Sequence, residues 1–263
     1  MTLFTLEGGA AGQPTVLFLH GAAVSSWMWA PTLAALPGRH TLAPDLPGLA
    51  RSAHLGPFTL AGAADALAAF IQARATGGQV DVVGHSLGGA VAAELLARHP
   101  QRVRRAALLG VTTGPVPRAP GFVAGTWAVW HATRSRRLLA WQARALGVPA
   151  AHRAQFVEES LAQTWPALAA VLREALAFRA PAALPPVPLL ALVGAREGAL
   201  NVRSARALAG ATPGGQAFAV PGRGHAWFAT RPELLHATLR AWLAGQPLPD
   251  DLRPLPPAFR PAG

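Results

Sequence analysis

The chain has 263 residues, of which 51% are hydrophobic and 13% are charged, and this composition excludes a disordered chain and suits one large globular domain. The absence of cysteine excludes disulfides and thiolate metal sites. The formal charge of +11 comes from arginines that are dispersed along the chain, whereas nucleic-acid binders cluster their charge on one face, so we expect no nucleic-acid partner.

Strand-like and helix-like segments alternate along most of the chain. Runs of apolar and β-branched residues predict strands at 3–7, 15–19, 40–43, 80–83, 106–109, 187–193 and 216–220. Helical spacing predicts helices at 31–36, 60–75, 90–98, 202–208 and 232–243. This alternation predicts an α/β fold with a doubly wound, mostly parallel sheet and helices on both faces.

The alternation stops between residues 112 and 183, where the pattern is helical and contains several prolines and tryptophans. We interpret residues 112–183 as a helical cap inserted into a core made of residues 1–111 and 184–245. Proline dominates residues 246–263, which we expect to run extended over the surface or to be disordered.

A serine flanked by glycines lies where a predicted strand meets a predicted helix, in Gly84-x-Ser86-x-Gly88. A serine at such a junction stands on a sharp turn that neighbouring backbone crowds, beside the positive end of the following helix. Ser86 is therefore the candidate nucleophile. The alternative is a glycine-rich loop that only turns the chain.

A serine hydroxyl needs a base to take its proton, and histidine suits neutral pH. His225 follows the predicted strand 216–220 in a glycine-containing loop, at the edge of the sheet where Ser86 also lies. His85 adjoins Ser86 but points away from it, and His20 is expected to shape its own loop. The other histidines have no motif around them.

The base needs a carboxylate that fixes its tautomer. Glu197 follows the predicted strand 187–193, so the chain order is serine, acid, histidine. Asp81 begins its strand and lies at the wrong end of the sheet. Glu158 or Glu159, reaching down from the cap, is a rival acid, and a solvated surface charge is the alternative role for Glu197.

Five motifs in this order resemble the alpha/beta-hydrolase fold family over nearly the whole chain. They are His20-Gly21, Asp45-Leu46-Pro47-Gly48…Ser52, Gly84-His85-Ser86-Leu87-Gly88-Gly89, Gly194-x-x-Glu197 and Gly224-His225. The resemblance implies an eight-stranded sheet, a cap inserted after the sixth strand and a Ser-acid-His triad. It also implies an oxyanion hole from the backbone N–H groups of Ala22 and Leu87, and a structural role for Asp45. The family usually has aspartate where this chain has Glu197, so the loop must accommodate one extra methylene.

Together these residues predict a serine hydrolase that acts on a small, largely apolar ester through an acyl-enzyme on Ser86. Hydrolysis of a C–C bond in a diketone-type substrate, of a thioester or of a lactone stays open with the same triad. Epoxide hydrolysis and haloalkane dehalogenation are disfavoured, because those relatives need an aspartate nucleophile. A ligand-binding member of the fold that has lost turnover is the alternative from another class.

Tryptophans near the predicted rim are candidates to line the substrate pocket: Trp27, Trp29, Trp127 and Trp227. Arg134, Arg136 and Arg137 in the cap are candidates to receive an acidic substrate or carrier protein, with a solvated face as the alternative.

The chemistry needs no metal or organic cofactor. The start of the chain lacks the pattern of a signal peptide and no run is long enough to span a bilayer, so we expect a cytoplasmic protein with no membrane partner. The sequence leaves the oligomeric state open.

Overall fold

The computed structural model describes residues 2–116, 119–146 and 148–256. Within these ranges one sheet of eight strands has the order β1-β3-β2-β4-β5-β6-β7-β8. The strands are β1 (Thr5–Gly8), β2 (Thr15–Leu19), β3 (His40–Pro44), β4 (Val80–His85), β5 (Val103–Leu109), β6 (Leu189–Gly194), β7 (Gln216–Val220) and β8 (Arg253–Pro254). Strands β2 to β7 run parallel, while β1 and β8 pair antiparallel at the two edges.

Helices cover both faces of the sheet. They are α1 (Ala30–Ala34), α2 (Leu60–Arg74), α3 (Leu87–Arg98), α4 (Ala119–Ala132), α5 (Arg136–Ala145), α6 (Arg153–Ala162), α7 (Trp165–Ala177), α8 (Ala199–Gly210), α9 (Trp227–Thr230) and α10 (Pro232–Ala244). The apolar sides of α2, α3 and α8 form one core cluster against the sheet, and α1 and α10 contribute to a second on the other face. Strands β2, β4 and β6 are buried along their whole length, which explains why most of their residues are apolar.

The doubly wound, mostly parallel sheet predicted from the sequence is confirmed, but the expected position of the insertion is wrong. The inserted helices α4 to α7 lie between β5 and β6, so they follow the fifth strand in chain order and not the sixth. The eighth strand comes instead from the proline-rich tail, where β8 pairs with β7 and the Leu255 N–H donates to Ala217 O at 2.8 Å. Proline is tolerated there because an edge strand leaves one side of its backbone unpaired. Residues 257–263 of the tail lie outside the described ranges.

The inserted helices pack on the rim of the sheet through Trp27. Its ring lies in a small cluster with Leu139 and Ala143 of α5 and with Phe156 and Val157 of α6. Side-chain caps begin two of these helices: Ser135 accepts from Leu138 N–H, and Thr164 accepts from Ala167 N–H. In the part of the chain that the structure describes, no helix combines the length and apolar character needed to cross a bilayer.

Candidate active site

Ser86 stands on a strained turn between β4 and α3. Its backbone has φ 54° and ψ −115°, a conformation that non-glycine residues rarely adopt. The Ser86 N–H donates to Leu109 O at 2.7 Å, which ties the turn to the end of β5. The sharp turn expected from the sequence is present.

The glycines around Ser86 are required by close packing of backbone. A Cβ on Gly84 would lie 2.3 Å from Gly88 O, and a Cβ on Gly88 would lie 2.3 Å from Leu19 O. Side chains at these positions would push α3 away from β2 and β4. Glycine therefore lets the strand, the turn and the helix pack directly on one another.

Glu197 and His225 meet at the carboxyl ends of β6 and β7. The His225 Nδ1–H donates to Glu197 Oε2 at 2.6 Å, and the Glu197 side chain is only 1% exposed while that of His225 is 46% exposed. A buried carboxylate behind an accessible imidazole is the arrangement in which an acid orients a catalytic base. Glutamate therefore reaches the histidine despite its extra methylene.

Three donors hold the Glu197 carboxylate. Besides His225, the Gly194 N–H donates to Oε1 at 2.6 Å and the Asn201 side-chain amide donates to Oε2 at 2.9 Å. Burial opposes the charge, but these hydrogen bonds outweigh it and hold the pKa of Glu197 below its ordinary value. The carboxylate is therefore ionised at neutral pH.

Asn201 belongs to the site although it is not among the residues predicted from the sequence. It lies one helical turn after Glu197 on α8, and its Oδ1 accepts from Thr112 Oγ1 at 3.1 Å. The sequence signal that could have identified Asn201 is its position four residues after Glu197, at the start of a predicted helix. Thr112 follows β5, so this chain of hydrogen bonds links the ends of three neighbouring strands.

Gly110, directly after β5, leaves space for the Glu197 and His225 side chains. It has φ +59°, and a Cβ there would lie 2.9 Å from two atoms of the His225 ring and 3.2 Å from Glu197 Oε2. Any side chain at this position would displace one of the two groups. The loop thus accommodates the longer acid partly through a missing side chain on the adjacent strand.

His85 lies behind His225 as a neutral, buried ring. The two ring centroids are 4.6 Å apart, and the His85 Nε2–H donates to His225 O at 3.3 Å. Burial and the neighbouring His225 lower the pKa of His85 to about 3. Because it is buried and bonded to the His225 backbone, His85 is placed to support the His225 loop.

The loop after β2 lies against the nucleophile turn. A Cβ on Gly21 would lie 3.7 Å from Ser86 Cβ, so the two backbones approach closely here. The predicted oxyanion donor Ala22 is the next residue in this loop, and the other, Leu87, is the first residue of α3. An N–H in the first turn of a helix has no partner within the helix.

His20 and Asp45 hold this rim in place. The His20 Nδ1–H donates to Gly21 O at 2.8 Å, and Nε2 accepts from the Leu46 N–H at 2.9 Å. Burial lowers the pKa of His20, which keeps the ring neutral. Asp45 accepts from the Ser26 N–H at 2.8 Å and from Arg51 Nε at 2.9 Å. Both residues are structural, as expected from the sequence.

The four candidate pocket tryptophans have different surroundings. Trp29 and Trp227 are buried in the core cluster beneath the sheet, so the expectation that they line a pocket is wrong. Their rings are large enough to fill the space between the sheet and the helices on that face. Trp27 is buried at the contact with the inserted helices, and Trp127 is half exposed on α4.

A cavity of about 600 Å³ lies between the rim loops and the inserted helices. Its wall is formed mainly by small apolar side chains, among them Ala22, Val24, Leu49, Phe58, Ala162 and Ala167. Glu159 on α6 also borders it, and accepts from Ser25 Oγ at 2.9 Å and from Trp27 Nε1 at 3.0 Å. Glu158, the other rival acid, also borders the cavity and pairs with the exposed Arg136.

The comparisons with known proteins agree with this architecture. Residues 16–238 match the model of the alpha/beta hydrolase family. A pimeloyl-[acyl-carrier protein] methyl ester esterase of Edwardsiella ictaluri is 30% identical over 90% of this chain and 95% of its own length. Lipase LipV of Mycobacterium tuberculosis is 40% identical, but the match covers only 38% of each protein. The solved enol-lactonase of Burkholderia xenovorans LB400 has a TM-score of 0.71 at 24% identity, over 92% of this chain and 96% of that one, which shows a shared fold.

The strained serine turn, the parallel sheet and the family match together define the class of protein. The chain belongs to the alpha/beta hydrolase family.

Proposed function

We propose that the protein hydrolyses a small, largely apolar carboxylic ester through an acyl-enzyme on Ser86. The family and esterase relatives such as the one in Edwardsiella ictaluri support its broader class, carboxylic ester hydrolase. The observation that carries the finer proposal is the 2.6 Å hydrogen bond between His225 and the buried Glu197, beside the strained turn of Ser86.

In the proposed reaction His225 removes the proton from Ser86 Oγ as this oxygen attacks the carbonyl carbon of the ester. The resulting tetrahedral oxyanion accepts hydrogen bonds from the Ala22 and Leu87 N–H groups, each worth about 3 kcal/mol in the transition state. The protonated His225 then gives its proton to the alcohol as the C–O bond breaks. Water, deprotonated by the same histidine, attacks the acyl-enzyme and releases the acid and free Ser86.

Glu197 serves this cycle without exchanging a proton. Its carboxylate accepts from the Nδ1–H, so the lone pair for the serine proton lies on Nε2 of His225. The same carboxylate stabilises the imidazolium that forms when the proton arrives. The hydrogen bonds from Gly194 and Asn201 keep it ionised and oriented throughout.

The cavity next to Ala22 supports an apolar substrate. Its charged neighbours already have partners, since Arg51 binds Asp45, Glu158 binds Arg136, and Glu159 binds Ser25 and Trp27. Alanine, proline and leucine side chains form most of the remaining wall. We assign one chain of the ester to this space, with residues 112–183 acting as the cap above it.

The test is covalent labelling by a fluorophosphonate probe together with turnover of a chromogenic ester. We expect one equivalent of label on Ser86, found by peptide mass spectrometry, and loss of both label and turnover in Ser86→Ala. Ser160→Ala, a serine elsewhere on the cavity wall, is the matched control and should label normally. A folded protein that neither labels nor turns over a panel of esters would refute the proposal and favour a ligand-binding role.

A further inference from the structure

The inserted helices carry an exposed set of large apolar side chains. We call it the cap apolar surface and define it by its exposed side chains on and just after α4 and α5: Phe122, Trp127, Val129, Leu138, Trp141 and Leu146. They are 45% to 66% exposed, and among the described residues the large exposed hydrophobic side chains all belong to this set. A single such residue is ordinary on a protein surface, but a concentration of this kind marks an interaction site.

The charge of the same segment has one sign. Residues 119–146 contain four arginines and neither aspartate nor glutamate, and α4 itself contains no arginine, aspartate or glutamate. Arg134 is occupied by backbone carbonyls at the end of α6, and Arg136 pairs with Glu158. Arg137 and Arg144 are exposed on α5 beside the apolar side chains. The segment therefore combines exposed apolar side chains with two exposed arginines, Arg137 and Arg144.

Two threonine side chains, one on α4 and one in the turn after it, are suited to a medium with little water. The Thr126 hydroxyl donates to Phe122 O at 2.8 Å, and the Thr133 hydroxyl donates to Val129 O at 2.8 Å. A hydroxyl bonded to its own helix needs no water, so its transfer into an apolar region loses no hydrogen bond.

We propose that the cap apolar surface docks on an anionic lipid surface, with Phe122, Val129 and Trp141 entering the apolar layer and Arg137 and Arg144 at the headgroups. Phe122 and Val129 are seven residues apart and so share one face of α4. Exposed aromatic residues beside arginines are the pattern of helices that lie in a membrane interface. This contact needs no spanning helix, whereas the expectation of no membrane partner depended on the absence of a spanning segment and of a signal-peptide pattern.

Charge argues against a second copy of the chain as the occupant. Self-association through this segment would bring the arginines of both copies together, with no acidic residue in either segment to offset them. An anionic lipid surface neutralises the same arginines. Each contributes roughly fivefold to the partition coefficient.

The test is sedimentation of the full chain with vesicles of phosphatidylcholine, with or without phosphatidylglycerol. We expect stronger binding to the anionic vesicles, weakening as salt is raised. The combined variant Phe122→Ser, Val129→Ser and Trp141→Ser should bind about 100-fold more weakly or worse. Its hydrolysis of a water-soluble ester should be unchanged, which shows that it is folded.

Matched charge variants test the contribution of the two arginines assigned to the headgroups. Arg137→Gln with Arg144→Gln should weaken binding to anionic vesicles about 25-fold. Arg240→Gln with Arg253→Gln, two exposed arginines outside the cap, should leave it unchanged. Ser86→Ala should bind like the parent chain, so failure of the proposed function would not affect this result.

Three outcomes would overturn the proposal. The first is equal binding to both vesicle types, and the second is undiminished binding of the serine triple variant. The third is a parent chain that does not bind vesicles but forms a concentration-dependent dimer, which the triple substitution abolishes. The last would identify the surface as an interface between two copies.

Discussion

The replacement Glu197→Gln tests the triad most directly, because glutamine nearly matches glutamate in shape but carries an amide. The Glu197 carboxylate accepts hydrogen bonds on both oxygens, from His225 and Asn201 on Oε2 and from Gly194 on Oε1. If the glutamine NH₂ faces His225, the imidazole must take the tautomer that carries its hydrogen on Nε2, which cannot accept the serine proton. If it faces Gly194 instead, two N–H donors oppose one another at a spacing of 2.6 Å. Neither orientation preserves the native arrangement.

The expected loss in kcat is about 10³–10⁴-fold, as for a triad whose histidine is held in the wrong tautomer, and corresponds to about 4–5.5 kcal/mol of transition-state stabilisation. KM should change little, since Glu197 is buried behind His225 and outside the cavity wall. Steady-state hydrolysis of a chromogenic ester gives both constants. Glu233→Gln, an exposed carboxylate paired with Arg231, is the control and should retain full activity. A Glu197→Gln enzyme within tenfold of the parent kcat would refute the assignment of the acid.

Three further changes follow from the same region. Gly110→Ala should lower kcat at least tenfold, because its Cβ would lie 2.9 Å from the base. His85→Asn should reduce the loss of stability between pH 8 and pH 5: the folded pKa of about 3 lies below the unfolded value, so the unfolded state gains the proton first and the native protein loses about 2 kcal/mol by pH 5. Glu159→Leu should lower the stability by about 2–3 kcal/mol and Tm by about 4–12 °C, because the Ser25 hydroxyl and the Trp27 indole lose their acceptor.

Each of these changes has a control and a contradicting result. Gly77→Ala shares the positive φ but has open space around its Cβ, so normal activity there and in Gly110→Ala would remove the steric argument. Equal acid sensitivity of the parent and His85→Asn in thermal melts would mean that another group titrates. An unchanged Tm in Glu159→Leu would show that water replaces the carboxylate. Glu158→Leu, on the exposed side of α6, is the matched control for it.

The sequence predicted those parts of the site that depend on chain direction. In a parallel sheet the carboxyl ends of strands share one edge, so residues that follow β4, β6 and β7 had to lie together. From that rule alone, the sequence predicted that Glu197 and His225 lie close together. The rule could not predict the roles of Asn201 and Gly110. These roles depend on the exact distances between side chains, which strand direction does not determine.

Patterns of hydrophobicity failed where a residue's neighbours come from distant parts of the chain. Trp29 was a candidate pocket residue, yet it packs on Phe18 and Phe228 in the core. Helix α4 is apolar on all sides, a pattern typical of a buried helix, and none of its residues is buried. The eighth strand was missed because it has only two residues, Arg253 and Pro254, and a proline gives no strand signal.

The inserted helices contact the rim of the sheet on one side and expose apolar side chains on the other. Helices α5 and α6 hold the insertion to the rim through the cluster around Trp27 and through Glu159, while α4 packs on α7. The contacts with the rim therefore do not use the exposed side chains of α4. A lipid surface that covers α4 leaves the Trp27 and Glu159 contacts in place, and the cavity beside Ala22 keeps its shape. Binding to vesicles and hydrolysis of a water-soluble ester should consequently vary independently among variants, and a change at Phe122 that slowed turnover of such an ester would contradict this separation.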